Sequence, residues 1–164
     1  MSRSLYHTAD LYEPGDNGWL ERYPGPQEWA GEHVAIGVPR VHGDGGDILL
    51  VSWANGLYLS LRAARRLAAE GIICRIVDLR WIAPLPIAEV ARQAAAVRAV
   101  LVVDETRRTG GVGEGVVTGL VEQGYQGPLS LVASRDSFIP LGEAALKVLV
   151  SEEEIMTAVR RILT

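Results

Sequence analysis

Short runs of apolar, β-prone residues recur along this chain: 47–53 (DILLVSW), 72–79 (IICRIVDL), 99–104 (AVLVVD) and 129–132 (LSLV). The first and third scarcely alternate polar with apolar, which is the mark of a strand buried on both faces. Between the runs the spacing turns helical. Leu57, Leu61, Ala64 and Ala68, with Leu67 beside them, predict the apolar face of a helix over about Gly56 to Glu70. Arg62, Arg65 and Arg66 lie on the other side, and Gly71 is a natural stop. Pro84 and Pro86 are expected to open a second helix that runs to about Val97. The glycine-rich residues 110–115 lead into a third, through Val116, Val117, Leu120 and Val121, which ends at Gly124. A brief helix is expected near 142–148.

The last helix is the clearest. Ser151 is a good N-cap, and Glu154 completes a capping box. Glu152 to Glu154 favour the positive end of the helix dipole, and Arg160 and Arg161 suit its last turn. Ile155, Val159 and Ile162 form the expected buried stripe. Upstream, Val34 to Val41 reads as a short edge strand, with Pro39 in keeping with an edge, and Gly43 to Gly46 as a tight turn. Buried strands alternating with helices mean βαβ units. The expected fold is a three-layer α/β/α domain around a mostly parallel five-stranded sheet.

Composition bounds the function. The 164 residues fit one domain, with 48% hydrophobic and 22% charged residues. A formal charge of −4 gives no basic surface for nucleic acid. No apolar stretch reaches membrane-spanning length, and no signal pattern opens the chain. Cys74 is the lone cysteine, which excludes an internal disulfide and argues for a reducing, cytoplasmic setting. Its apolar flanks predict a buried strand residue rather than a reactive thiol. Residues 1–33 scatter Pro, Gly, Tyr and Trp and read as a linker or arm from a preceding domain, with the domain proper over 34–164. Trp19 and Trp29 in that arm are poorly placed for an internal core, so association is expected.

Several motifs tempt. Gly43-Asp44-Gly45 resembles the start of a thiamine diphosphate motif, yet the only following Asn, Asn55, stands far too close, so a plain turn is expected. Arg107, Arg108, Thr109, Gly110, Gly111 and Gly113 form a loop between a strand and a helix. Such a loop can cradle an anion on free N–H groups, or can be shaped to meet a neighbouring domain, which is the expected role. It is not a G-x-G-x-x-G fingerprint. His7, His33 and His42 are scattered and pair with nothing at metal-ligand spacing. Glu152 to Glu154 are explained by the helix start. Asp104 and Glu105 end a parallel strand, where α/β folds place ligands, but no His or Lys stands beside them. No complete active site is visible.

In order, 47–53 with its helix, Val77-Asp78-Leu79-Arg80-Trp81-Ile82-Ala83-Pro84-Leu85, Val102-Val103-Asp104-Glu105-x-x-Arg108-Thr109-Gly110-Gly111-Val112-Gly113, Asp136-Ser137-x-Ile139-Pro140 and Ser151-Glu152-Glu153-Glu154-Ile155 form a familiar series. From about residue 34 onward the chain resembles the C-terminal domain of the transketolase-like superfamily. The match is to the β part of the E1 component of branched-chain 2-oxo acid or pyruvate dehydrogenases. The resemblance implies an antiparallel edge strand. It also implies a parent enzyme that uses thiamine diphosphate and Mg²⁺ to decarboxylate a 2-oxo acid and passes the acyl group to the lipoyl arm of an E2 acyltransferase. In that family the cofactor and metal are held by the α part, and the activating glutamate by the β part's first domain. No cofactor is therefore expected on this chain. Its expected work is contact with sister E1 domains or subunits, as a homo-oligomer, and with E2. The chain departs from the family at Arg107, where many relatives have His or an aromatic, at Glu114-Gly115 in place of Ala-Glu, and at Phe138 in place of Pro. Two alternatives stand beside this reading. One is a stand-alone phosphate- or nucleotide-binding regulatory domain. The other is the same domain from a transketolase, deoxyxylulose-phosphate synthase or pyruvate:ferredoxin oxidoreductase.

Overall fold

The computed structural model describes residues 25–27 and 34–164. The arm expected over 1–33 thus lies outside the described residues, apart from 25–27. Five strands form one sheet: β1 (Arg40–His42), β2 (Ile48–Ser52), β3 (Cys74–Asp78), β4 (Ala99–Arg107) and β5 (Leu129–Ser134). Their spatial order is β1-β3-β2-β4-β5. β1 runs antiparallel to β3, and every other pairing is parallel. Four helices cover the sheet: α1 (Ala54–Ala68), α2 (Ile87–Ala94), α3 (Val112–Glu122) and α4 (Glu152–Leu163).

Both faces of the central strands are apolar, and both are buried. Ile48, Leu50, Leu101 and Val103 pack with Ala63 and Leu67 of α1 and with Ile155, Met156 and Val159 of α4. Leu49, Val51, Val100 and Val102 face the other way, onto Val90 and Ala94 of α2 and Val116 and Leu120 of α3. This is why the sequence of β2 and β4 does not alternate: each residue meets a helix layer. The three-layer α/β/α expectation holds, antiparallel edge strand included.

Several element boundaries differ from the sequence reading. The edge strand is confined to Arg40–His42 rather than 34–41. Val38 N–H closes a turn onto Ala35 O, and Gly37 has φ +74°, so the chain is still bending there. Helix α2 begins at Ile87, after Pro84 and Pro86, because Pro86 has ψ 51° and lies outside the helical region. The helix expected near 142–148 is a 3-10 segment, Gly142–Lys147. β4 continues past Asp104 to Arg107, with an irregularity in its pairing to β5 between those residues.

The stripe expected on α1 holds at Leu57 and Leu67, both buried, and not at its other positions. Ala68 is exposed and Leu61 and Ala64 half-buried, while Gly56, Ser60, Ala63 and Leu67 are buried. Small residues take the sheet-facing positions because the helix lies close. A Cβ on Gly56 would collide with Ser52 Oγ, which donates to Val103 O at 2.8 Å and ties β2 to β4. Ser60 is accommodated by donating its hydroxyl to Gly56 O at 2.7 Å. On α4 the expected stripe holds for Ile155 and Val159, both fully buried, with Ile162 half-buried.

Candidate functional site

In this strand order the chain departs from β2 towards β3 on one side and from β4 towards β5 on the other. The topological switch point therefore lies between β2 and β4, where open α/β sheets receive ligands at the carboxyl ends of their strands. Asp104, Glu105 and the loop Arg107–Gly113 all stand at this edge.

Asp104 is 1% exposed, and its carboxylate organises the start of the loop. Oδ1 accepts from Thr106 N–H at 2.7 Å and from the Thr106 hydroxyl at 2.6 Å; Oδ2 accepts from Gly113 N–H at 2.8 Å. Gly113 must lack a side chain, since a Cβ would stand 2.7 Å from Leu131 Cδ1 and 3.0 Å from Asp104 Oδ2. Glu105, the next residue, points towards α1. Its Oε1 accepts from Asn55 N–H at 3.2 Å. The N-cap of α1 is Trp53, which supplies no side-chain acceptor, so Glu105 serves the helix start from fifty residues away. Burial pushes the Glu105 carboxyl above its ordinary range against the lowering effect of the Asn55 hydrogen bonds, and the Asp104 charge adds to the rise.

The loop's N–H groups are turned onto the chain's own carboxylates. Thr109 N–H and hydroxyl donate to Asp136 at 2.9 and 2.6 Å. Gly110 N–H donates to Glu114 Oε2 at 2.8 Å, and Gly113 N–H goes to Asp104. The Thr109 bonds hold the Asp136 carboxyl below its ordinary range. Arg107 Nε donates to Thr109 O at 2.9 Å, and Arg108 donates to Leu131 O at 3.3 Å. Three carboxylates thus occupy the positions from which an anion cradle would have to work. A phosphate would meet like charge there and would have to displace existing bonds. Asp136 and Glu114 are the residues that sequence reasoning missed in this role. Asp136 lies 27 residues from Thr109, beyond any local spacing.

The other tempting residues are also placed. The Gly43–Gly46 turn stands at the amino end of β2, and Asn55 beyond its carboxyl end. A five-residue strand, about 17 Å long, lies between them, so the two cannot hold one metal ion. A Cβ at Gly45 would collide with Ile73 O, and Gly43 has φ +69°, so these glycines answer to the turn itself. The residues present do not fit a thiamine diphosphate cradle. Among the described residues no group of three or more His, Cys, Asp or Glu is placed to hold a metal, and no helix is long and apolar enough to cross a membrane. Cys74 is half-buried on β3, and burial with the nearby Asp47 charge pushes its thiol up to about 12. His42 is on β1, with its proton affinity lowered by burial and by Arg40; His7 and His33 lie outside the described residues. Glu152 pairs with Arg62 at 2.5 Å, Glu153 pairs with Arg66, and Glu154 is in the capping box.

A doubly wound sheet with one antiparallel edge strand and its switch point between β2 and β4 is the architecture of a transketolase-type domain. Residues 37–155 match the family described as Transketolase, C-terminal domain, and the chain belongs to it. Its curated relatives include pyruvate dehydrogenase E1 component subunit beta of Staphylococcus epidermidis, 29% identical over 126 residues, which covers 75% of this chain and 39% of the relative. The subunit of the same name from Bacillus subtilis is 25% identical over 133 residues, covering 79% and 41%. Among solved structures, a split-gene transketolase described as an inactive β4 tetramer superposes with a TM-score of 0.71 at 30% identity, covering 79% of this chain and 42% of that one. A 2-oxoglutarate:ferredoxin oxidoreductase from Magnetococcus marinus shares the fold, with a TM-score of 0.56 at 16% identity. The chain spans about two fifths of the length of the two curated relatives described.

Proposed function

We propose that this chain is the C-terminal contact domain of an E1-type 2-oxo acid dehydrogenase that works in the cytoplasm. The parent enzyme decarboxylates pyruvate or a branched-chain 2-oxo acid with thiamine diphosphate and Mg²⁺ held elsewhere, and passes the acyl group to a lipoyl-bearing E2 acyltransferase. The observation that carries the reading is the family membership joined to E1 beta relatives, on a chain whose sheet edge is filled by its own carboxylates. Fold alone would not assign a role; the inward-turned loop supports a packing part over a ligand-binding one.

Contact surface is present. Ile36, Val38 and Ile82 are exposed at the carboxyl edge, where the chain at Gly37 runs beside Pro84. Exposed apolar groups of this kind mark association sites. The chain associates with itself or with sister E1 subunits through this side. Calorimetry with Mg²⁺ and thiamine diphosphate is expected to show no binding, and micromolar binding would overturn the proposal. Light scattering is expected to report an assembly larger than the monomer; a clean monomer at high concentration counts against it. The split-gene transketolase favours a second reading, the same domain in a transketolase. Binding to a purified E2 component supports the E1 reading, and self-association without E2 binding supports the transketolase one.

A further inference from the structure

The two edges of the sheet are built differently. β1, on one side, is three residues long, carries Arg40 and His42, and follows Pro39, which has no N–H to offer. Short length, charge and proline are the means by which edge strands are kept from pairing further. β5, on the other side, has six residues, Leu129–Ser134, with no charge and no proline among them. Only Ser134 is buried, although α3 and α4 both pack against the strand.

The register fixes which groups this edge leaves open. Val100, Val102 and Asp104 stand opposite Leu129, Leu131 and Ala133, and Val100 N–H donates to Pro128 O at 2.9 Å. In a parallel ladder of this phase Ser130 and Val132 turn their N–H and C=O to β4, while Leu129, Leu131 and Ala133 turn theirs away. Two bonds agree with that phase. Arg135 N–H, next in the outward row, donates to Val148 O at 2.9 Å, and Leu131 O accepts from Arg108 at 3.3 Å. The N–H groups of Leu129, Leu131 and Ala133 and the C=O groups of Leu129 and Ala133 have no hydrogen-bond partner among the described residues.

We infer that this edge pairs antiparallel with the same edge of a second copy, about a two-fold axis at Leu131. Outward residues of antiparallel strands meet as pairs that exchange both of their N–H···O bonds. An outward row with Leu131 at its middle is its own complement. Leu131 meets Leu131, and Leu129 meets Ala133 on either side, so every open group is satisfied at once. That is the self-complementarity an isologous contact requires. The side chains fit as well. Leu129 and Leu131 are half-buried on the face covered by α2 and α3, and paired residues project to one face, so each copy covers the other's leucines. No charge within either strand is set against a like charge. Arg108 is the charged group at the axis. It is exposed, and it must leave Leu131 O for the pair to form. It is the guard of this edge and weakens the pairing. The contact is distinct from the one at Ile36, Val38 and Ile82, which lies beside β1 and β3 on the other side of the sheet.

Amide hydrogen exchange of the full chain, followed by NMR over a dilution series with light scattering in parallel, tests this. Exchange at Leu129, Leu131 and Ala133 is expected to slow severalfold from the dilute to the concentrated end, with Val100 and Val102 unchanged. Ala133→Pro removes an outward N–H and leaves the ladder to β4 intact, as proline on a free edge can; it is expected to abolish the slowing. Arg108→Ala is expected to move the transition to lower concentration. Exchange that does not depend on concentration overturns the inference. So does slowing that survives in Ala133→Pro while Val100 and Val102 stay protected. If Ala133→Pro loses that protection, Arg108→Ala decides, and an unmoved transition overturns the inference. The Ile36→Ser, Ile82→Ser double variant, which removes the other contact, is expected to keep the slowing. Its loss there would assign the protection to that contact and overturn this one, so either idea can fail alone.

Discussion

At the residue scale, Glu105 and Ala54 carry the tension at the switch point. Glu105 is held with its folded-state affinity for a proton raised, chiefly by burial. Such a group binds more protons folded than unfolded. Its ionisation therefore opposes folding once the pH rises above the unfolded value, and the penalty is complete above the folded one. Glu105→Gln keeps an oxygen for Asn55 N–H and removes the charge. The variant is expected to gain stability over the parent chain at neutral pH, with the gap closing as the pH falls through the carboxylate range; urea midpoints across pH measure it. A gap that widens on acidification would show that the charge favours the fold. Ala54 has φ +47° at the sharp turn from β2 into α1, a conformation that costs an L-residue about 1–2 kcal/mol. Ala54→Gly removes that strain at some cost in chain entropy, and is expected to stabilise by about 0.5–1 kcal/mol in the same measurement.

At the element scale, the starts of α1 and α3 receive carboxylates from β4, Glu105 and Asp104, while α4 completes its own. Ser151 Oγ accepts from Glu154 N–H at 3.3 Å, and Ser151 N–H donates to Glu154 Oε2 at 2.9 Å. Ser151→Ala is expected to cost about 1 kcal/mol in urea unfolding at an unchanged denaturant slope. The contrast explains what could be read in advance. The capping box spans four consecutive residues, and β2 and β4 carry their burial in unbroken apolar runs; both signals are local. On α1 the spacing finds Leu57 and Leu67 but not Gly56 and Ser60, because apolar spacing counts large side chains whereas close approach to the sheet selects small ones. The loop at Thr109 was legible as a strand-to-helix turn. Its partners were not, because Asp136 and the Glu105–Asn55 pair come together only when the sheet forms.

For the whole molecule, the question is what holds the α4 layer to the rest. Ion pairs lace it to the α1 layer: Arg62 with Glu152, Arg66 with Glu153, and Arg160 with Glu70, the last in the turn from α1 to β3. Arg160 holds the Glu70 carboxyl below its ordinary range, so the contribution of that pair is present above the unfolded value of about 4.5 and is lost as the pH falls through the lower folded one. Exposed pairs of this kind contribute little, because water and salt screen them and two long side chains must be ordered to form them. Beneath them Ile155 and Val159 are fully buried and Met156 nearly so, and each such side chain contributes about 1.5–3 kcal/mol. The apolar layer therefore outweighs the ionic seam. Acidification to about pH 3 is expected to lower overall stability while α4 stays in place, exchanging its amide hydrogens on the same scale as β4 until the molecule unfolds as one unit. Hydrogen exchange across pH reads this directly. Amides of α4 that open well before those of β4 in acid would show that the seam, not the core, fastens the helix.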